Sequence, residues 1–414
     1  MPTSNEPIFL SALAINGPTQ RADLARLIGV SRTSASNLAR ILHDDGLIED
    51  LPKPGVAASR YPLSTSPKAG LLAAMVVSDK EVGVSISHLD GSRQATAAAA
   101  LNPADSPRVW IQTGIQQLQH LIARSYPSEP TPDIRQCLVA VPTQADADTG
   151  EVYPSPASRR WIGINALESV SGALMCPVRI NNTARVEGLC EHDAAGSDPS
   201  SVTCYARFSH GVALSHIVHG EIAAGAHGGS GELGHTVVNM SGPQCSCGNH
   251  GCLMQYTSIP ALQTRIRRVW PNTEARPPAL LDLLATPSGT WPPEATNLLR
   301  DAGKIAGNAL ANVANLLDPD LLVVGGELGV ADSPFFDELA LTVRQRTLPL
   351  ISTHLTISHA ESSRDLKRVA LAATESLRSD TKLMTAICAD LTNRSSNQGK
   401  TPHMMTRNLP GSRR

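Results

Sequence analysis

With 414 residues the chain is long enough for two or three domains with sizeable cores. A formal net charge of -2 excludes a generally polycationic nucleic-acid binder, so any DNA contact must be confined to a local surface with its own charge pattern. No apolar run approaches the ~20 residues needed to cross a bilayer, and scarce aromatics beside abundant Ala favour a helix-rich α/β body over an all-β sandwich.

Residues 8–48 carry three helical patterns in quick succession. Ile8, Leu10, Leu13 and Ala14 mark a first amphipathic helix closed by Gly17-Pro18. A second starts at Thr19 or Gln20, turns Leu24, Ala25, Leu27 and Ile28 inward, and ends at Gly29; Ser31 then caps a third. At 100° per residue the third segment separates into an apolar face of Ala35, Leu38, Ala39 and Leu42 and a polar one of Arg32, Thr33, Ser36, Asn37 and Arg40. Short, polar and cationic is what a helix in the major groove requires: Arg bridges guanine O6 and N7, and Asn bridges adenine N6 and N7. The expectation is a helix–turn–helix. A plain three-helix packing module is the alternative, and it leaves unexplained why this face is not built from the Glu and Lys of an ordinary solvated helix.

After Gly46, residues 47–50 and 59–63 are expected to pair as a hairpin around Pro52-Lys53-Pro54-Gly55. That hairpin is a wing, with Lys53 and Arg60 near the DNA backbone or minor groove. A proline-rich passage, 52–67, separates this module from the rest, so residues 1–66 are expected to form a winged helix-turn-helix domain and 67–390 a body. In that body, 71–77 and 82–87 look like paired strands, 109–126 a helix, 136–141 and 177–180 buried strands, 301–317 a helix, and 321–326 a strand running into a glycine turn. Alternation of this kind predicts α/β architecture. From 391 to 414 the chain is rich in Ser, Asn, Gly and Arg without periodicity, and is expected to be disordered.

His235, Cys245, Cys247 and Cys252 follow the order H-x9-C-x-C-x4-C, three thiolates and an imidazole that fill a tetrahedral shell, with Gly248 and Gly251 letting the backbone turn between them. Zinc is the expected ion, and a full shell leaves no place for a reactive water, so the metal should hold a loop. Scattered buried cysteines would not crowd three thiols into eight residues beside glycines. A disulfide is disfavoured: the start of the chain is not signal-like, and Cys137, Cys176, Cys190, Cys204 and Cys388 suit a reducing cytosol, so a cytoplasmic protein is expected.

The helix–turn–helix pattern, Gly231-Glu232-Leu233-Gly234-His235, the cysteine knot, and Asp318-Pro319-Asp320 before Val323-Val324-Gly325-Gly326 together resemble a regulator of the ROK family (repressor, open reading frame, kinase) over roughly residues 8–380. The resemblance implies a two-lobed actin-like or hexokinase-like body, a structural zinc, and a sugar site in the cleft between lobes. By the same resemblance Asn181, Glu232 and His235 match positions that contact sugar hydroxyls.

The chain departs from the kinases of that family at three places. Their phosphate hairpin is here Val77-Ser78-Asp79-Lys80-Glu81-Val82-Gly83, lacking the glycine–threonine turn, and the second glycine-rich turn keeps only Gly211. Their Asn-Asp pair is Asn181-Asn182, and an amide at Asn182 cannot take a hydroxyl proton. The sugar site also departs: Met254 follows Cys252-Leu253 where a Glu is usual, and Ser158 precedes Arg159-Arg160-Trp161 where an Asn is common. The ligand set is therefore Asn181, Asn182, Glu232 and His235, with an anionic effector near Arg159 or Arg160 conceivable, as is no effector at all. For Glu232 the alternative is that it merely fixes the metal loop.

These features predict a non-enzymatic, homodimeric or homotetrameric transcription factor. It would read double-stranded operator DNA, an inverted repeat, as a repressor responding to a carbohydrate or anionic effector. An ATP-dependent sugar kinase with an accessory domain, and a DNA-binding dimer that senses nothing, are the alternatives.

Overall fold

A computed structural model describes residues 5–57, 60–127, 130–153, 158–198, 200–226, 228–270 and 277–398. Its contacts divide the chain into two compact units: one takes the N-terminal residues to Leu71, Ser87–Arg93 and the chain from Leu377 onward, the other Leu72–Ile86 and Gln94–Ser376.

The first unit opens with α1 (Glu6–Asn16), α2 (Arg21–Leu27) and α3 (Arg32–Asp44). Phe9, Leu10, Leu13, Ala14, Leu24, Ala25, Ala35, Ala39 and Leu42 form their common core. Ile8 and Leu27, expected inward, are more than half exposed; Phe9 takes the inward place in α1. The Ser31 hydroxyl caps α3 by accepting from Ser34 N at 3.0 Å. Strands β1 (Ile48–Asp50) and β2 (Leu63–Thr65) pair antiparallel, Ile48 with Thr65 and Asp50 with Leu63. The wing is therefore present, with its second strand starting where the expected one ended. The cause is a buried long-range anchor: the Asp90 carboxylate accepts from Ser64 Oγ (2.7 Å) and Thr65 N (2.9 Å), fixing 64 and 65 in the ladder.

The second unit holds two five-stranded mixed sheets. One has the order β5-β4-β3-β6-β7 and comprises β3 (Leu71–Val77), β4 (Glu81–His88), β5 (Ala95–Ala100), β6 (Ile134–Val141) and β7 (Val178–Asn182). β6 and β7 run parallel, and α4 (Pro107–Ser125) and α5 (Ala166–Leu174) lie between strands of this lobe in the chain. From β7 the chain enters α6 (Thr183–Ala194) and then the second sheet, ordered β10-β9-β8-β11-β12. Its members are β8 (Val202–Phe208), β9 (Val212–Val218), β10 (Glu221–Ile222), β11 (Leu321–Gly325) and β12 (Thr356–His359), with β11 parallel to both β8 and β12.

Helices α7 (Met254–Thr257), α8 (Ile259–Val269), α9 (Leu280–Leu284), α10 (Pro293–Leu317), α11 (Pro334–Arg346) and α12 (Pro349–His354) follow the second sheet's first strands. Gly303 and Gly307 let α10 approach α11 so closely that a Cβ at either would lie within 2.6 Å of a carbonyl oxygen of Phe335 or Leu339. α10 begins eight residues before the expected helix at 301, with Pro at its first position.

Two helices close the described chain: α13 (Leu366–Ser379) and α14 (Thr381–Gln398). α14 corrects the expectation of disorder from 391, since helix continues to Gln398; residues 399–414 lie outside those described. It belongs to the first unit, where Met384, Cys388 and Leu391 are buried and Arg378 donates to the Ile15 carbonyl at 2.5 Å.

Candidate functional site

Three constellations carry chemistry. On α3, Arg32, Thr33, Ser36, Asn37 and Arg40 are all exposed, opposite buried Ala35, Ala39 and Leu42. Arg40 makes a solvent-exposed pair with Asp44 at 3.2 Å, a contact that contributes little. Lys53 and Arg60, in the chain between β1 and β2, are likewise exposed.

His235 and the three cysteines form the second constellation. Their ligand atoms all lie within 4.8 Å of one another. His235 sits at the end of a short 3-10 turn, Leu233–His235, and the cysteine loop folds back through a bridge between Val237 and Cys252. Cys245 Sγ lies 3.7 Å from His235 Nδ1, and Cys247 Sγ lies 3.6 Å from Cys252 Sγ. Two sulfurs each ~2.3 Å from a tetrahedral ion stand roughly 3.8 Å apart, whereas a disulfide brings them to about 2.05 Å. The spacing fits a shared cation, and the four donors, three cysteine sulfurs and one histidine nitrogen, suit a borderline-soft one. Burial alone would raise the Cys245 thiol, yet hydrogen bonds from Cys247, Gln255 and His235 bring it down to about 6. Burial and neighbouring thiols push Cys252 up to about 12. One sulfur is thus already disposed to thiolate, the form that binds metal. Gly251 is required here: its φ is +69° and a Cβ would lie 1.5 Å from the Asn239 carbonyl oxygen.

The third constellation surrounds α6. This helix is unusual in burying Arg185, Glu187, Glu191 and His192, residue types seldom fully buried without partners. Asn181 and Asn182 end β7 and line a cavity of about 50 Å³ with Gln144, Arg185 and Gly228. Asn182 Oδ1 caps α6 by accepting from Ala184 N (2.9 Å) while its Nδ2 donates to the Thr143 carbonyl (3.1 Å). Of the expected ligand set, Asn181 and Asn182 line that cavity, and Glu232 and His235 are not among its lining residues. Glu232 is linked to it through Arg185, whose charge it stabilises. Arg160, exposed, stacks on Trp110 at 4.7 Å and donates through Nη2 to the carbonyls of Pro103 (2.8 Å) and Asp105 (2.5 Å).

A larger cavity, about 410 Å³, lies between the β3–β4 hairpin and the turn after β11. Its chemistry opposes phosphate. Ser78 Oγ accepts from the backbone N–H groups of Lys80 (3.2 Å) and Glu81 (2.9 Å), consuming donors that an anion would need. Lys80 is paired with Glu327 at 2.9 Å and Arg207 with Glu187 at 3.3 Å, while the third lining cation, Arg364, donates to the carbonyls of Ala360 (3.0 Å) and Gly329 (3.5 Å). Burial alone would raise Glu327, but Ser209 and Lys80 hold it down at about 2, a permanent anion facing the cavity. Burial raises Glu187 above the usual carboxylate range, while Arg207 and the Tyr205 hydroxyl (2.8 Å) oppose that shift.

The ROK family model matches residues 84–367. The xylose repressor of Bacillus spizizenii is 24% identical over 351 residues, covering 83% of this chain and 88% of the repressor. The DNA-binding transcriptional dual regulator NagC of Escherichia coli is 23% identical over 354 residues, covering 83% and 86%. Among solved structures, a ROK family transcriptional regulator described as a homolog of the E. coli MLC protein superposes with a TM-score of 0.70 at 20% identity, covering 93% of this chain and 98% of that one. The ROK hexokinase of Thermus thermophilus gives 0.58 at 19%, covering 73% and 98%. These two likenesses establish the fold: two mixed-sheet lobes, with N-terminal helices added in the regulator.

Proposed function

The chain belongs to the ROK family, and from that premise we propose that it is a cytoplasmic DNA-binding repressor whose body senses a small molecule and carries no kinase chemistry. The observation that carries the reading is the exposed Arg32, Thr33, Ser36, Asn37 and Arg40 face of α3, held out from the three-helix core. Xylose repressor and N-acetylglucosamine repressor are the names of relatives that share four-fifths of its length, which supports a carbohydrate or related effector.

Phosphoryl transfer has no support in the body. Asn182 is an amide used as a helix cap, and the hairpin N–H groups that would cradle phosphate are already bonded to Ser78. The His235, Cys245, Cys247 and Cys252 set would hold zinc in a closed shell, tying the loop after Glu232 to the base of α7. Two copies joined through their bodies would present two α3 helices to an inverted-repeat operator about one helical turn apart.

Selection of binding sites from a random DNA library tests the reading. The wild type should return an inverted repeat. Asn37→Ala and Arg40→Ala should each lose about 1–3 kcal/mol of discrimination at one base pair per half-site while nonspecific affinity changes less. Unchanged sequence preference in both variants would discard the α3 assignment, and ATP-dependent sugar phosphorylation by the unmodified protein would discard the whole reading.

A further inference from the structure

Among the described residues, the cavity beside Asn181 and Asn182 is lined by a single charged side chain, and no carboxylate pairs with it. Arg185 is 8% exposed and donates only to main-chain carbonyls, from Nη2 to Gly228 at 2.5 Å and to Ser230 at 2.7 Å. A guanidinium cannot shed its charge in a protein. Burial pulls Arg185 below the ordinary arginine range, and Glu232 offsets this from a distance without forming an ion pair. A buried cation held by neutral oxygens alone is electrostatically incomplete.

Two further features have the same sign. α6 runs for 12 residues from its Asn182 cap, so its positive end opens toward the cavity that Asn182 and Arg185 share. The remaining polar lining is neutral, from the amides of Gln144, Asn181 and Asn182. At about 50 Å³ the cavity fits an acid group and not a whole hexose.

We propose that the effector is an acidic sugar, a polyol whose carboxylate or phosphate enters this cavity and pairs with Arg185 while the rest of the ligand stays outside it. The proposal rests on the reading of this cavity as the sensor site of a regulator. Arg185 is then the residue that sets specificity, selecting charged ligands over the neutral aldoses.

The test uses the full-length protein and isosteric probes that differ in charge: glucuronate against glucuronamide, and gluconate and glucose 6-phosphate against glucose. Binding is read by calorimetry and by release from operator DNA. At least one acidic probe should bind tenfold or more tighter than its neutral partner, a difference of about 1.4 kcal/mol; whether carboxylate or phosphate prevails identifies the source of the negative charge. Arg185→Gln should lose that tenfold preference and Arg185→Lys should keep part of it. If Arg185→Gln does not fold, the glucuronate and glucuronamide pair on unmodified protein decides the matter. Equal affinity for charged and neutral members, or an Arg185→Gln variant that still prefers the acid, overturns the proposal and leaves the regulator standing. If no probe of either class binds while the operator is still bound, both the acidic-sugar proposal and the sensor reading fall, and only DNA recognition survives.

Discussion

Single residues decide most of the chemistry here, and those whose partners lie close in sequence were the legible ones. His235, Cys245, Cys247 and Cys252 fall within 18 residues, so ligand type and spacing alone announced a site that the fold then gathered within 4.8 Å. Cys247 is its one exposed member, which makes it the cleanest probe. Cys247→Ser should lower metal content well below one zinc per chain and reduce the melting temperature, because binding energy in such a site is largely folding energy. Metal analysis beside a thermal melt checks both, and a metal-free variant with an unchanged melt would refute the structural role. Arg185 and Arg160 show the opposite case. Nothing local distinguishes a buried arginine beside a cavity from one stacked on Trp110, because the groups that each guanidinium contacts lie more than 40 positions away.

At the scale of elements, periodicity was a reliable guide wherever one face of a segment is buried by its immediate neighbours. α3 has the faces expected of it, and the strands of the body fall within a few residues of their expected places. β2 is displaced because Asp90 sets its register from outside the module, a contact invisible in the sequence of the hairpin itself. The β3–β4 hairpin gives a pH-dependent prediction. Glu327 has an ordinary carboxylate value of 4.5 and is held at about 2, chiefly against burial, by Ser209 and Lys80. A depressed folded-state value means that its contribution to stability is fully present above pH 4.5 and is lost as pH falls toward 2. Glu327→Gln should therefore flatten the decline of the urea midpoint across that window and leave the region above it unchanged in slope. An acid limb as steep as the wild type's would show that Glu327 is not the titrating group.

For the whole molecule, the boundaries suggested by composition describe one continuous cut, whereas the compact units interleave. The prolines between 52 and 67 mark where the chain leaves the reading module for the first time, but give no sign that it returns at Leu377. α14 escaped notice because its Ser- and Asn-rich end reads as solvated, while the residues that matter, Met384, Cys388 and Leu391, are spaced as one thin stripe. Removing residues 380–414 should leave metal content intact, since the ligands lie in the other unit, yet abolish operator binding and lower the first step of thermal unfolding. Full operator affinity in the truncated chain would separate α14 from the reading unit.

That return of the chain also constrains the order of events during synthesis. Some 360 residues separate the end of α1 from the start of α14, and at 5–20 residues per second they take about 20–70 s to translate. Throughout that interval α1 lacks the helix that will cover it. A nascent or prematurely stopped chain therefore presents an unfinished reading head, so a frameshift late in the reading frame should silence the regulator as thoroughly as one at its start.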